Sequence, residues 1–171
     1  MLFRYPCEDL PGCPFPQQVA MFCLPLGATI ESWPVGSRHP LPLFSTFVLT
    51  GATGEKLYGA AVIFYDDYDQ SKLRREELTK LGIMVSQSPP EKRLSIHQNQ
   101  SICVLSRWPF FDTFRKFLFC LYRISVSGPQ MVPLERFVYT ASHQFHFFFL
   151  RSGKLASRNV ICLKYETNSV A

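Results

Sequence analysis

The pattern of apolar and polar residues predicts four β-strands in the first two thirds of the chain. Two β-rich runs, residues 43–50 and 55–65, flank the turn Gly51-Ala-Thr-Gly54 and are typical of an antiparallel hairpin. The apolar runs at residues 19–24 and 101–106 are short and are followed by Pro25 and Arg107, so we expect both to be buried strands.

An amphipathic helix is predicted from about Pro109 to Ser127. Its apolar side chains recur every three or four residues along one helix face: Phe110, Phe114, Phe117, Leu118, Leu121 and Ile124. Pro109 suits the first turn, and Gly128-Pro129 ends the helix. A hairpin and further strands followed by a helix, without βαβ units, predict an α+β fold with an antiparallel sheet.

The remaining residues are predicted to be irregular. Residues 1–18 form a leader rich in proline and glycine, and residues 25–42 form a long loop around Trp33. Residues 66–100 are mostly charged and polar. We expect an exposed connection there, with one short helix at residues 71–81.

Composition narrows the class of protein. The 171 residues are 47% apolar and include 13 prolines, so we expect one buried core and exclude a helical bundle. The net charge is +5, because residues 1–70 carry three basic and seven acidic side chains whereas residues 71–171 carry fifteen and six. The basic back half is either a solvated face or a surface for a separate partner, and the sequence leaves both open.

The sequence contains no pattern typical of an enzyme or a metal site. The six cysteines form no C-x-x-C pair and the N-terminus does not resemble a signal peptide, so we expect reduced cysteines in the cytoplasm. Of the four histidines only His143 and His146 are close in sequence, and Asp66-Asp67 are expected in a solvated turn. We predict no catalytic residue, no cofactor-binding residue, no metal ligand and no cofactor.

Three segments, in this order and spacing, resemble the upstream part of a DENN module. They are Phe22-Cys-Leu-Pro-Leu-Gly27, the hairpin from Phe44 to Gly59, and Ile102-Cys-Val-Leu-Ser-Arg-Trp-Pro-Phe-Phe-Asp-Thr-Phe-Arg-Lys116. The stretch FCLPLGATIESWP is similar to the branch of the family that includes the c-myc promoter-binding protein. The resemblance covers about residues 1–138.

The resemblance implies a longin-like fold, in which helices flank an antiparallel sheet. It divides the chain into an upstream DENN (longin-like) lobe at residues 1–108, the opening helix of the central DENN lobe at residues 109–138, and a non-family tail at residues 139–171. The tail contains Phe145-His-Phe-Phe-Phe-Leu150, which is typical of a pairing-prone strand. We expect little order in the tail; the alternative is that it adds a strand to an open sheet edge.

The family acts as guanine-nucleotide exchange factors for Rab GTPases in vesicle traffic, without covalent chemistry. The resemblance therefore implies a Rab partner and a cytoplasmic location, including the periphery of vesicle membranes. Because the match stops inside the module, we expect a truncated fragment with weak or no activity without the missing remainder of the DENN module.

The alternative function is a non-catalytic module that binds protein or nucleic acid through the basic C-terminal half. Basic and aromatic residues are interleaved at residues 107–116, as in proteins that stack on bases. The phenylalanines of this segment belong to the apolar helix face, however, so nucleic acid is not the expected partner.

Overall fold

A computed structural model of the chain describes residues 3–5, 15–83, 94–127 and 161–165. The strands are β1 (Phe3–Tyr5), β2 (Ile30–Pro34), β3 (Leu43–Thr50), β4 (Lys56–Asp67), β5 (Leu94–Ser106) and β6 (Ile161–Tyr165), and the helices are α1 (Val19–Cys23), α2 (Arg75–Lys80) and α3 (Phe111–Ser127). The strands form one antiparallel sheet in the order β1-β6-β5-β4-β3, with β2 beside one end of β5. The predicted α+β, longin-like fold with an antiparallel sheet and flanking helices is confirmed.

The hairpin of β3 and β4 is confirmed and extends further than predicted. Thr50 pairs with Lys56 across the turn, and Gly54 in the turn has a φ of 86°, which glycine adopts without strain. β4 continues to Asp67. Asp66 and Asp67 therefore lie in the sheet, opposite β5, rather than in the solvated turn that the sequence predicts.

Helix α3 packs its apolar face on one side of the sheet, as predicted. The buried residues of this face are Phe114, Phe117, Leu118 and Leu121, and they join a cluster on β4 and β5 made of Ala60, Val62, Phe64, Ile102 and Val104. The short helix predicted at residues 71–81 is also present, as a 3₁₀ turn at Gln70–Lys72 followed by α2. None of the described helices is both long and apolar enough to cross a membrane.

The opposite side of the sheet is covered by α1, where the sequence predicts a strand. Val19 and Cys23 are fully buried one helical turn apart and pack with Ala61 and Cys103, whereas Met21 between them is exposed. The strand prediction is wrong because burial here follows the four-residue spacing of a helix. A run of six residues is too short for its apolar pattern to separate the two structures.

Two further predictions are wrong, those for the segments that form β2 and the first half of β5. The loop expected at residues 25–42 contains β2, and residues 94–98 of the expected exposed connection pair with it. The first half of β5 lacks an apolar pattern, yet its polar side chains are buried: His97, Gln98, Asn99 and Gln100. Hydrogen bonds hold the side chains of His97 and Asn99 in these buried positions, so burial is not always visible as apolarity.

β6 comes from the segment that is expected to have little order. It lies between β5 and β1, with Leu163 opposite Cys103 on one side and Arg4 on the other. At β6 the expectation of little order is wrong. The alternative, that the window Phe145–Leu150 adds a strand to the sheet, stays a prediction because that window lies outside the described residues.

Gly59 on β4 leaves room for the ring of Phe47, its partner on β3. A Cβ atom at Gly59 would overlap that ring, which also stacks on Phe22 of α1 at 5.1 Å between centroids. We expect Gly59→Ala to lower the free energy of unfolding by about 1–3 kcal/mol, the usual cost of overpacking. Thermal denaturation of Gly59→Ala in the wild type and in Phe47→Ala measures this. The same cost in both backgrounds would contradict the ring contact.

Candidate functional site

An open groove lies on the α1 side of the sheet, between α1 and the far end of β4. The loops on either side of β2 and the first residue of β3 line it with Leu24, Pro25, Leu26, Gly27, Pro40, Leu41 and Leu43, and the two central strands contribute Ile63, Phe64, Tyr65 and Asn99. The groove has a volume of about 270 Å³. Ligand pockets usually measure roughly 300–1,000 Å³, so the groove is better suited to contact with another protein than to enclosing a small molecule.

The groove carries apolar side chains that face solvent. Leu26 is 93% exposed and Leu41 is 91% exposed, and Leu43 is also exposed. Single exposed apolar residues are common, but several around one concave site indicate a surface that binds another protein. These three leucines are called the groove surface below.

Asn99 attaches one wall of the groove to the sheet. Its Oδ1 accepts a hydrogen bond from the Thr29 N–H at 2.8 Å, and its Nδ2 donates to the Gly27 carbonyl oxygen at 3.0 Å. The Asn99 N–H donates to the Thr29 carbonyl oxygen at 3.2 Å. A buried asparagine in the middle of β5 therefore positions the loop that carries Leu26.

A cluster of aromatic rings borders the groove at the end away from α1. Trp33 stacks on His97, with centroids 4.4 Å apart and 23° between the rings, and it lies 4.8 Å from Tyr65 and 5.6 Å from His39. Side chains alternate between the two faces of a sheet, and the register places Trp33, Tyr65 and His97 on the same face. These four residues are called the ring cluster below.

The Glu31 carboxylate forms hydrogen bonds with two members of the ring cluster. It accepts hydrogen bonds from Trp33 Nε1 at 3.0 Å and from the Tyr65 hydroxyl at 2.9 Å. The pKa of Tyr65 is raised, first by burial and then by the hydrogen bond to Glu31. Loss of the phenol proton would place two anions side by side, so this contact stays in its hydrogen-bonded form near neutral pH.

His39, Asp67 and His97 meet at the edge of the ring cluster. His39 Nε2 lies 2.8 Å from His97 Nδ1, and Asp67 Oδ1 lies 3.4 Å from the first nitrogen and 3.0 Å from the second. Burial and, next, the neighbouring His39 lower the pKa of His97, against an opposite effect of Asp67. The lowered pKa favours the neutral form of the His97 imidazole. Two imidazoles and a carboxylate are a donor set that metal ions bind.

This group of three residues does not stand out in the sequence. Histidines that are neighbours along the chain are visible there, whereas His39 and His97 are 58 residues apart. The signal lies in the strand register, which puts His97 directly opposite Asp67. That register can be derived only when β5 is known to begin at Leu94. The pair that the sequence did single out, His143 and His146, lies outside the described residues.

Two domain families match segments of the chain. The uDENN domain matches residues 1–64, which include α1, β2, β3 and most of β4, and the DENN (AEX-3) domain matches residues 97–149, which include most of β5 and all of α3. This is a DENN-domain protein. The two matches meet in one sheet, because β4 and β5 pair over ten residues of each strand.

Curated relatives of the DENN-domain chain are much longer proteins. The MAP kinase-activating death domain protein of Caenorhabditis elegans is 30% identical over 127 residues, which represent 72% of this chain and 9% of that protein. The protein of the same name from Mus musculus is 29% identical over 169 residues, or 72% of this chain and 10% of the relative. The chain thus spans about a tenth of the length of either. No solved structure matches it.

Among the residues of the DENN-domain chain that the structure describes, some basic side chains pack against the core and others face solvent. The Arg115 guanidinium lies over the rings of Phe44 and Phe119, at 5.6 Å and 5.9 Å from their centroids. Arg115 thus packs against the rim of the core through cation–π contacts. Lys116 and Arg123 on the same helix are exposed, as expected of a solvated face.

Proposed function

We propose that the chain forms part of the GTPase-binding surface of a Rab guanine-nucleotide exchange factor. The observation that carries this proposal is the match of the uDENN and DENN families to adjoining parts of one sheet. The groove surface supports it, because the exposed side chains of Leu26 and Leu41 are available for contact. A few well-packed residues near the centre of an interface contribute most of its binding energy.

The binding energy that nucleotide exchange requires limits the exchange activity that this chain can have alone. A GTPase that binds its nucleotide with nanomolar to picomolar affinity holds it by about 12–16 kcal/mol. An exchange factor must bind the nucleotide-free state better than the loaded state, and a stable interface of this kind buries about 1,600 Å² in total. The groove surface supplies a fraction of such an area. We therefore propose that the chain alone binds a Rab weakly and has little or no exchange activity.

The proposal includes the division of the chain that its resemblance to a DENN module implies. Residues 1–108 are the upstream lobe, residues 109–138 are the opening helix of the central lobe, and residues 139–171 are a tail. The DENN match runs to residue 149 and so includes the first part of that tail.

The stretch FCLPLGATIESWP supports the branch that includes the c-myc promoter-binding protein. The expected location is the cytoplasm and vesicle membranes, and the rest of the DENN module is the second expected partner.

Release of labelled GDP from a panel of Rab GTPases tests this proposal. We expect a complete DENN module that includes this chain to accelerate release from at least one Rab at least about tenfold more than the chain alone, because it offers the whole interface. Equal acceleration by both proteins would contradict the weak activity proposed for the chain. If neither protein binds or acts on any Rab, while short duplex DNA binds the chain at physiological salt, the alternative nucleic-acid function is correct.

A further inference from the structure

We propose that His39, Asp67 and His97 form a binding site for a divalent transition-metal ion, best suited to Zn²⁺. The three ligands come from three parts of the fold. His39 lies in the loop between β2 and β3, Asp67 is the last residue of β4, and His97 lies in β5. The site is separate from the groove surface and does not depend on the proposed action on Rab GTPases.

The distances between the three donor atoms fit a zinc ion. Bonds of about 2.0–2.1 Å at tetrahedral angles place neighbouring donor atoms roughly 3.3 Å apart. Here the two nitrogens are 2.8 Å apart, and Asp67 Oδ1 is 3.4 Å and 3.0 Å from them. Shifts of a few tenths of an ångström in His39, which is carried by a loop, and in the exposed side chain of Asp67 produce the required triangle.

The hydrogen bonds around His97 direct a lone pair of electrons into this triangle. Its Nε2 lies 2.7 Å from the Ser95 hydroxyl, and that hydroxyl donates to the Trp33 carbonyl oxygen at 3.3 Å. Both contacts are satisfied when Nε2 carries the proton and Nδ1 does not. A metal-binding histidine usually donates its second ring N–H in this way, which fixes the tautomer and the orientation of the ring.

In this tautomer of His97 the triangle lacks one of the protons that its contacts need. With Nδ1 of His97 unprotonated, one proton on His39 Nε2 can satisfy only one of its two neighbours, His97 Nδ1 or Asp67 Oδ1. The Nδ1 and the carboxylate oxygen are then two acceptors 3.0 Å apart. A metal ion between the three atoms replaces that repulsion with three bonds.

The surroundings favour zinc over calcium or magnesium and leave one coordination position open. Two imidazole nitrogens with one carboxylate suit zinc, whereas calcium and magnesium prefer oxygen ligands. His97 is buried and rigidly stacked on Trp33, while the Asp67 side chain is 82% exposed, so water completes the coordination from the solvent side. The ion would attach the loop of His39, Pro40 and Leu41 to the sheet and so restrict the motion of one wall of the groove.

Titration of the reduced, metal-free full chain with Zn²⁺ against a chromophoric chelator tests the site. We expect one ion bound per chain and a higher melting temperature on binding. Asp67→Asn and His39→Gln each remove one ligand outside the core and should weaken zinc affinity by at least about tenfold. Asp66→Asn is the matched control: this carboxylate is next in sequence, but it faces Gln100 at 3.4 Å on the other side of the sheet. It should bind zinc like the wild type.

Substitution with Co²⁺ identifies the ligands independently. We expect the visible absorption of a four-coordinate cobalt site without the near-ultraviolet band of cysteine thiolate, and this absorption should be lost in Asp67→Asn. A thiolate band would place the metal on the cysteines and overturn the proposal. Unchanged zinc affinity in both ligand variants, or no binding at micromolar zinc, would mean that the three residues form only a hydrogen-bonded cluster.

Discussion

Replacing Leu118 by aspartate is expected to unfold the chain. Leu118 is fully buried between α3 and the sheet. Removing such a leucine side chain alone costs about 2–5 kcal/mol, and an uncompensated charge at a buried site costs about 3–5 kcal/mol more. Since whole domains are stable by only about 5–15 kcal/mol, the sum approaches or exceeds the total.

Lys116→Asp provides the matched control on the same helix. Lys116 is exposed, so the same new side chain should change the melting temperature by only a few degrees. Circular dichroism during heating measures both variants. We expect no cooperative transition for Leu118→Asp and a near-normal one for Lys116→Asp. A normal transition for Leu118→Asp would mean that this face of α3 is not in the core.

Removal of residues 139–171 is expected to lower the melting temperature by at least about 5 °C, since 1 kcal/mol corresponds to roughly 2–4 °C in a chain of this size. The deletion removes β6, which pairs with five residues of β5 and three of β1. It would leave β1 without its partner and expose backbone groups along the second half of β5.

A single substitution distinguishes the effect on stability of losing β6 from the effect of losing the rest of residues 139–171. Leu163→Pro removes one backbone N–H from the middle of β6 and should destabilise the chain, because proline cannot donate to a strand ladder. Leu163→Ala keeps the N–H and should cost less. If the truncated chain and Leu163→Pro both melt like the wild type, β6 does not contribute to the folded sheet.

Local patterns predicted the elements whose partners are close in sequence. The hairpin follows from two β-rich runs and a glycine turn, and α3 follows from the spacing of Phe114, Phe117, Leu118 and Leu121. In both cases the residues that specify the element also form its contacts. The fold class could be predicted for the same reason.

The elements that the sequence did not predict depend on distant partners. β2 and the first half of β5 are strands because they pair with each other across some sixty residues, and the buried His97 and Asn99 hide the alternation expected of a strand. The site was missed for the same reason. The groove is built from two loops, one of which is held by Asn99, and the meeting of His39, Asp67 and His97 depends on the register of β4 and β5.

Binding of this chain to nucleotide-free Rab GTPases, measured for the wild type and for two aspartate variants, tests the central claim most directly. Leu41→Asp places a charge on the groove surface and Val126→Asp places one on an exposed position of α3, on the other side of the sheet. We expect Leu41→Asp to weaken binding at least about tenfold, or 1.4 kcal/mol, and Val126→Asp to bind like the wild type. Equal binding by Leu41→Asp and the wild type, with both folded, would contradict the assignment of the groove as the GTPase-binding surface.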